Sequence, residues 1–160
     1  MNDIKTTAEA IEASALPPKA RALHLKQTAP TAEQEPLPDS MAKTPISQKS
    51  PAEWAYERLV LYIQNFEKQL DSSEEVAMGF TGGDAGVMRI EGMGFYAPDI
   101  ITFYGSDPVG TKTQQIQHVS QLNVMLRALP KEVSQPEPNR IGFKLAKQLE
   151  DDDDDNASGA

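Results

Sequence analysis

The side chains able to do chemistry are few and scattered. His118 is the sole histidine of the aromatic-bearing half of the chain and sits in QQIQHVSQ beside Gln121. An imidazole with an ordinary pKa near 6.5 acts as a general base when a carboxylate orients it. Asp84, Glu91, Asp99 and Asp107 are the available acids, and no spacing ties any one of them to His118. His118, Gln121, Asp84, Glu91 and Asp99 are therefore the candidate ligand- or partner-binding residues, and the expected role of His118 is a histidine satisfied by local hydrogen bonds. Ser120 lies two residues from His118, so a strand would put both on one face, but none of the serines falls in G-x-S-x-G or S-x-x-K. No catalytic residue is assigned, and whether the chain is an enzyme stays open.

Other constellations give less. TGGDAG at 81–86 lacks the helix and the G-K-[S/T] ending of a phosphate loop, and Asp84 would repel phosphate, so it reads as a turn between strands. IEGMGF places Gly92 and Gly94 on one face of a strand. Something must approach there, a ligand or more simply the rings of Trp54, Tyr62 or Phe66 from a covering helix, or else the pair marks a bulge. One histidine with dispersed carboxylates and no cysteine supplies no metal-ligand pattern, so no metal or cofactor is expected.

These residues need elements to hold them. All ten aromatic residues fall between Trp54 and Phe143, and six of the twelve prolines fall in residues 1–49, where apolar content is too low to offset the entropy of ordering. That arm reads as disordered, with weak helical spacing at 4–15 and 20–27. Ser50, Pro51 and Glu53 then form a helix start, followed by Tyr56, Leu59, Ile63, Phe66 and Leu70 at three- and four-residue steps. Eight of ten glycines lie between Gly79 and Gly110, among segments rich in Val, Ile, Phe, Tyr and Thr. This predicts a meander of about four strands at 75–80, 87–95, 100–104 and 111–118.

The stretch 112–129 fits strand and helix alike. It is divided here into a strand to His118 and a second helix to Leu129, ended by Pro130. The fold expected is α+β: a long N-terminal helix on an antiparallel meander, then a second helix. Compact residues 50–130 are followed by a linker with a short docking segment at 131–149 and an acidic disordered tail at 150–160.

Net charge is −9, divided as zero over 1–50, −5 over 51–130 and −4 over 131–160. An acidic folded part with five basic residues cannot neutralise phosphates, which speaks against nucleic acid. The longest strongly apolar run, 59–63, is far short of the roughly 20 residues of a membrane span. The opening lacks the pattern of a secretory signal, giving a cytoplasmic expectation. The acidic block 150–155 has solubility as its default role.

SPAEWAYERL (50–59), GFTGG (79–83), IEGMGF (90–95), PDIITFYG (98–105), IQHVSQLNVMLRA (116–128) and RIGF (140–143) together resemble an uncharacterised alphaproteobacterial domain family of unknown function. The likeness covers roughly 60% of the chain. It implies a bacterial cytoplasmic protein with domain limits near 50 and 143, and implies no chemistry. The function expected is a non-enzymatic binding or adaptor module that meets a protein partner or itself. The alternative is a small enzyme or small-ligand sensor using His118 and a carboxylate beside Gly92 and Gly94.

Overall fold

The computed structural model describes residues 19–80 and 86–158. The chain divides into two compact units at Ser50/Pro51. The 4–15 segment and Asp84 lie outside the described residues. In the first unit, 20–27 forms no helix or strand and has a turn at 25–26, and Leu23 and Leu25 are exposed. Two single 3-10 turns, Ala32–Gln34 and Ile46–Gln48, flank a one-turn helix α1 (Asp39–Ala42).

The second unit opens with α2 (Pro51–Glu67) and continues as β1 (Glu74–Phe80), β2 (Val87–Tyr96), β3 (Ile100–Ser106), β4 (Lys112–His118), β5 (Val124–Pro130) and α3 (Ile141–Ser158). The fold is α+β: a helix, a five-stranded antiparallel sheet and a C-terminal helix. Ala52, Tyr56, Val60 and Ile63 are the buried apolar stripe of α2 at steps of four, four and three. The Ala52 N–H, one of those a helix start leaves without an intrahelical partner, donates to the Pro98 carbonyl at 2.9 Å.

The sheet runs in the order β4-β3-β2-β1-β5, so β4 and β5 lie on opposite edges although only residues 119–123 join them. Four interstrand steps in a flat sheet span about 19 Å, and the registers set His118 and Val124 at opposite ends of the strands, which widens the gap further. The connection contains a 3-10 turn, Val119–Gln121, so it reaches only about 16 Å. The sheet must therefore curl toward the side on which Val119, Leu122 and Val124 pack. On that concave side Val76, Met78, Met88, Ile90, Met93, Ile101 and Phe103 meet the stripe of α2 and Ile141 and Leu145 of α3. Phe80 and Phe103 stack edge to face, with centroids 5.0 Å apart.

Three differences from the sequence reading stand out. There are five strands instead of about four. Residues 119–129, expected as the second helix, form a 3-10 turn and β5. The second helix is instead α3, which begins inside the 131–149 stretch expected as linker and docking segment and carries the 150–155 block as helix, where a disordered tail was expected. The physical reason is that Ile141 and Leu145 are buried, with Ala146 and Leu149 packed beside them, and this apolar row holds a helix whose aspartates alone would disfavour one.

Two glutamates fasten α3 in place. Glu75 accepts from Arg89 Nη1 (3.0 Å), Gln135 Nε2 (3.0 Å) and the Asn139 N–H (2.7 Å), pinning the 131–140 linker to β1. Arg140 adds bonds to the Glu74 and Asp71 carbonyls at 2.6 and 2.7 Å. At the end of α2, Glu67 accepts from the Phe143 N–H (3.0 Å) in the first turn of α3. A Cβ on Gly142 would come within 2.7 Å of the Gln64 backbone nitrogen, so the crossing requires glycine. Tyr56, near the start of α2, has its pKa raised by burial and by Asp152 of α3, which places the two helices antiparallel.

Glu67 is 2% exposed, and its Oε2 has no hydrogen-bond partner. Burial raises its pKa, with the Gly142 and Phe143 N–H groups and the Arg140 and Lys144 charges opposing the rise. A carboxyl group whose pKa is higher folded than unfolded stabilises fully below its ordinary pKa, and that contribution is lost as pH rises through the folded value. Glu67→Gln keeps the acceptor and removes the charge. Its thermal midpoint at pH 7 is expected at or above that of the parent chain, with a flatter decline between pH 4.5 and 7. Glu67→Ala is expected to cost about 1–3 kcal/mol in urea unfolding through the donors left unmatched. A Gln variant less stable than the parent at pH 7 would contradict this account.

Candidate functional site

The side of the sheet opposite the core carries a regular array. Register places Tyr96 beside Ile100 and Ile100 beside His118, then Gly94, Thr102 and Ile116, then Gly92, Tyr104 and Gln114. Alternation explains it, because Ile101 and Phe103 face the core and Ile100, Thr102 and Tyr104 must face away. Tyr96 is 78% exposed, Ile116 62% and Tyr104 42%.

Gly92 and Gly94 belong to this outer face. A Cβ on Gly92 would sit 3.7 Å from the Tyr104 ring, and one on Gly94 would lie 2.7 Å from Thr102 Oγ1 and 3.8 Å from the same ring. Tyr104 of the neighbouring strand thus occupies the place expected for Trp54, Tyr62 or Phe66. The glycines face away from the covering helix, and the bulge that the pair also suggested is present: the register shift at 90–92 resets the alternation, sending Met93 inward and both glycines outward.

His118 ends β4 at the corner of this face. Its Nε2 lies 3.1 Å from Asp99 Oδ2, and its Nδ1 accepts from the Ser120 N–H at 3.1 Å with Ser120 Oγ at 2.7 Å. An acceptor Nδ1 assigns the ring proton to Nε2, which donates to Asp99. The His118 N–H donates to Gln121 Oε1 at 3.1 Å, and the Val119 N–H to the Asp99 carbonyl at 2.8 Å. Acid, imidazole and hydroxyl form one string, yet the basic nitrogen is already held by a backbone N–H that caps the 3-10 turn. In this arrangement the imidazole braces the start of β3 against the turn after β4.

Of the candidate residues, His118, Asp99 and Gln121 come together, and Asp84 lies outside the described residues. Glu91 does not join them. It sits at the bulge, five residues along β2 from Tyr96, which is about 16 Å of strand. There it borders a cavity of about 150 Å³, also lined by Glu75, Arg89, Ser106, Gln135 and Asn139. Pairing of β1 with β2 reaches only from Gly79↔Val87 to Ala77↔Arg89, so the strands part where this cavity opens. Arg89 is engaged there by Glu75 and by the Pro130 carbonyl at 2.8 Å. Tyr96, Tyr104 and Ile116 escaped the sequence reading, although an isoleucine among glutamines in an edge strand and the inward phase of Ile101 and Phe103 pointed to them.

Among the described residues no group of three or more His, Cys, Asp or Glu side chains could hold a metal ion, and no helix is long and apolar enough to cross a membrane. A domain built as a curled sheet under two antiparallel helices, with its outer face open, belongs to no activity by shape alone. The chain belongs to a family of unknown function (DUF6173), whose model matches residues 45–144 and so takes in α2, the whole sheet and the first turn of α3. No curated protein and no solved structure matches it.

The Tyr104 ring shields two glycines that have no side chains of their own. Tyr104→Ala is expected to cost about 1 kcal/mol in denaturant midpoint analysis, while Tyr104→Phe, which keeps the ring, costs a small fraction of that. Equal losses in the two variants would show that the hydroxyl, and not ring cover, matters.

Proposed function

We propose that the chain is a non-enzymatic protein-binding module that receives the apolar side chains of a partner protein on the outer face of β2, β3 and β4. One observation carries this: Tyr96, Tyr104 and Ile116 stand exposed on adjoining strands, around glycines that keep the surface low. Apolar side chains concentrated in this way on a folded surface mark interaction sites. The setting we infer is the bacterial cytoplasm, supported by the resemblance drawn above. The low content of clustered Lys and Arg supports a protein partner in preference to nucleic acid.

The test is Tyr96→Glu with Ile116→Glu. Both side chains point outward, so folding is expected to persist with the thermal midpoint within about 3 °C of the parent. Affinity for a partner identified by crosslinking of the parent chain is expected to fall by about tenfold or more. Undiminished binding by the folded double variant would remove this face from consideration.

A second reading, a small enzyme or ligand sensor at His118, is favoured by the 3.1 Å approach of Asp99. It requires that His118→Ala leave folding intact while abolishing a ligand-induced rise in melting temperature. The bracing role predicts instead a loss of about 1 kcal/mol, comparable to loss of a helix cap, with no functional change. Urea unfolding and a metabolite melting screen on the same variant separate the two.

A further inference from the structure

The edge of β4 is a second surface, distinct from the outer face. The Val119 N–H bonds the Asp99 carbonyl at 2.8 Å and the Asp107 N–H the Thr111 carbonyl at 3.0 Å, and both pairs continue the β3/β4 register. Odd-numbered residues of β4 therefore exchange their backbone bonds with β3. Even-numbered residues turn theirs to the open edge. At His118 that edge is closed off, because Gln121 Oε1 takes its N–H. Lys112, Gln114 and Ile116 remain, each with an outward donor and acceptor.

The two edges of the sheet differ in how they are guarded. β5 carries Arg127 at its centre and ends on Pro130, two features that discourage strand addition. β4 has no proline, no glycine and a single charge at its start. It is also self-complementary. In an antiparallel pairing centred on Gln114, all three outward residues of each copy find partners, giving about six backbone hydrogen bonds. Lys112 of one copy then faces Ile116 of the other and lies diagonal to its His118–Asp99 pair, a cation beside a carboxylate. The same symmetric pairing on β5 would bring Arg127 close to its own copy.

We propose that two copies of the chain associate through β4, joining their sheets into one ten-stranded antiparallel sheet. The surface is the strand edge and the partner is a second copy, so the proposal stands apart from the face-binding reading above. Sedimentation velocity on the full chain, from about 1 to 100 μM, is the test. A species of twice the 17.5 kDa chain mass is expected. Gln114→Pro removes an outward N–H and leaves the β3 ladder untouched; it should sediment as a monomer with an unchanged circular dichroism spectrum. Lys112→Glu should weaken association by about tenfold at low salt, with the penalty shrinking at high salt. A parent chain that stays monomeric throughout, a folded Gln114→Pro that still dimerises, or a Lys112→Glu that dimerises as well as the parent at low salt would each overturn the proposal.

Discussion

Five residues connect the two edges of a five-stranded sheet, and this short tether sets the shape of everything around it. A flat sheet would hold His118 and Val124 too far apart for a connection containing a 3-10 turn, so the strands curl until the gap closes. Curling makes the two faces unequal. The concave side can be filled by two antiparallel helices, with the apolar residues of the connection packed against the same core, while the convex side spreads and is left to Tyr96, Tyr104 and Ile116. The exposure of that face thus follows from topology as much as from residue type.

The second helix reaches the concave side only because the preceding linker is tied down. Glu75 and Glu67 do this by opposite means. Glu75 is matched by an arginine, an amide and a backbone N–H, so its charge is answered where it is buried. Glu67 is matched on one oxygen and left bare on the other, so its charge is tolerated at a cost that burial makes visible in its raised pKa. The first carboxylate orders the approach of α3. The second fixes its first turn against α2 and makes that contact sensitive to protonation.

Much of this was legible in the residue order. The 3.6-residue stripe of α2 and the glycine-punctuated segments rich in Val, Ile, Phe, Tyr and Thr that follow it carried the fold class. The stretch after His118 misled for a definite reason: Ile116, Val119, Leu122, Met125, Leu126 and Leu129 fit helical spacing, but they divide between the two faces of different elements. Leu126 turns to the core while Met125 and Leu129 turn away, and only the pairing of β5 with β1 decides between these patterns. That pairing joins residues about 50 positions apart, beyond the reach of any local window. Glycines 92 and 94 signalled the bulge but not its consequence, because an irregularity of register shifts which face a residue occupies without altering composition.

The histidine corner shows how proximity and availability come apart. A base, an acid and a hydroxyl stand within hydrogen-bond distance, which is the geometry nucleophilic catalysis needs. The nitrogen that would take a proton, however, already receives a backbone N–H from the residue whose hydroxyl it would activate. Releasing it means opening the cap of the turn that links β4 to β5, the tether on which the curl of the sheet depends. Catalytic use of His118 would therefore work against the fold, whereas binding on the open face asks for no such change. The structure leaves the Tyr96, Tyr104 and Ile116 side chains exposed on the outer face and commits His118 to capping the turn that joins β4 to β5.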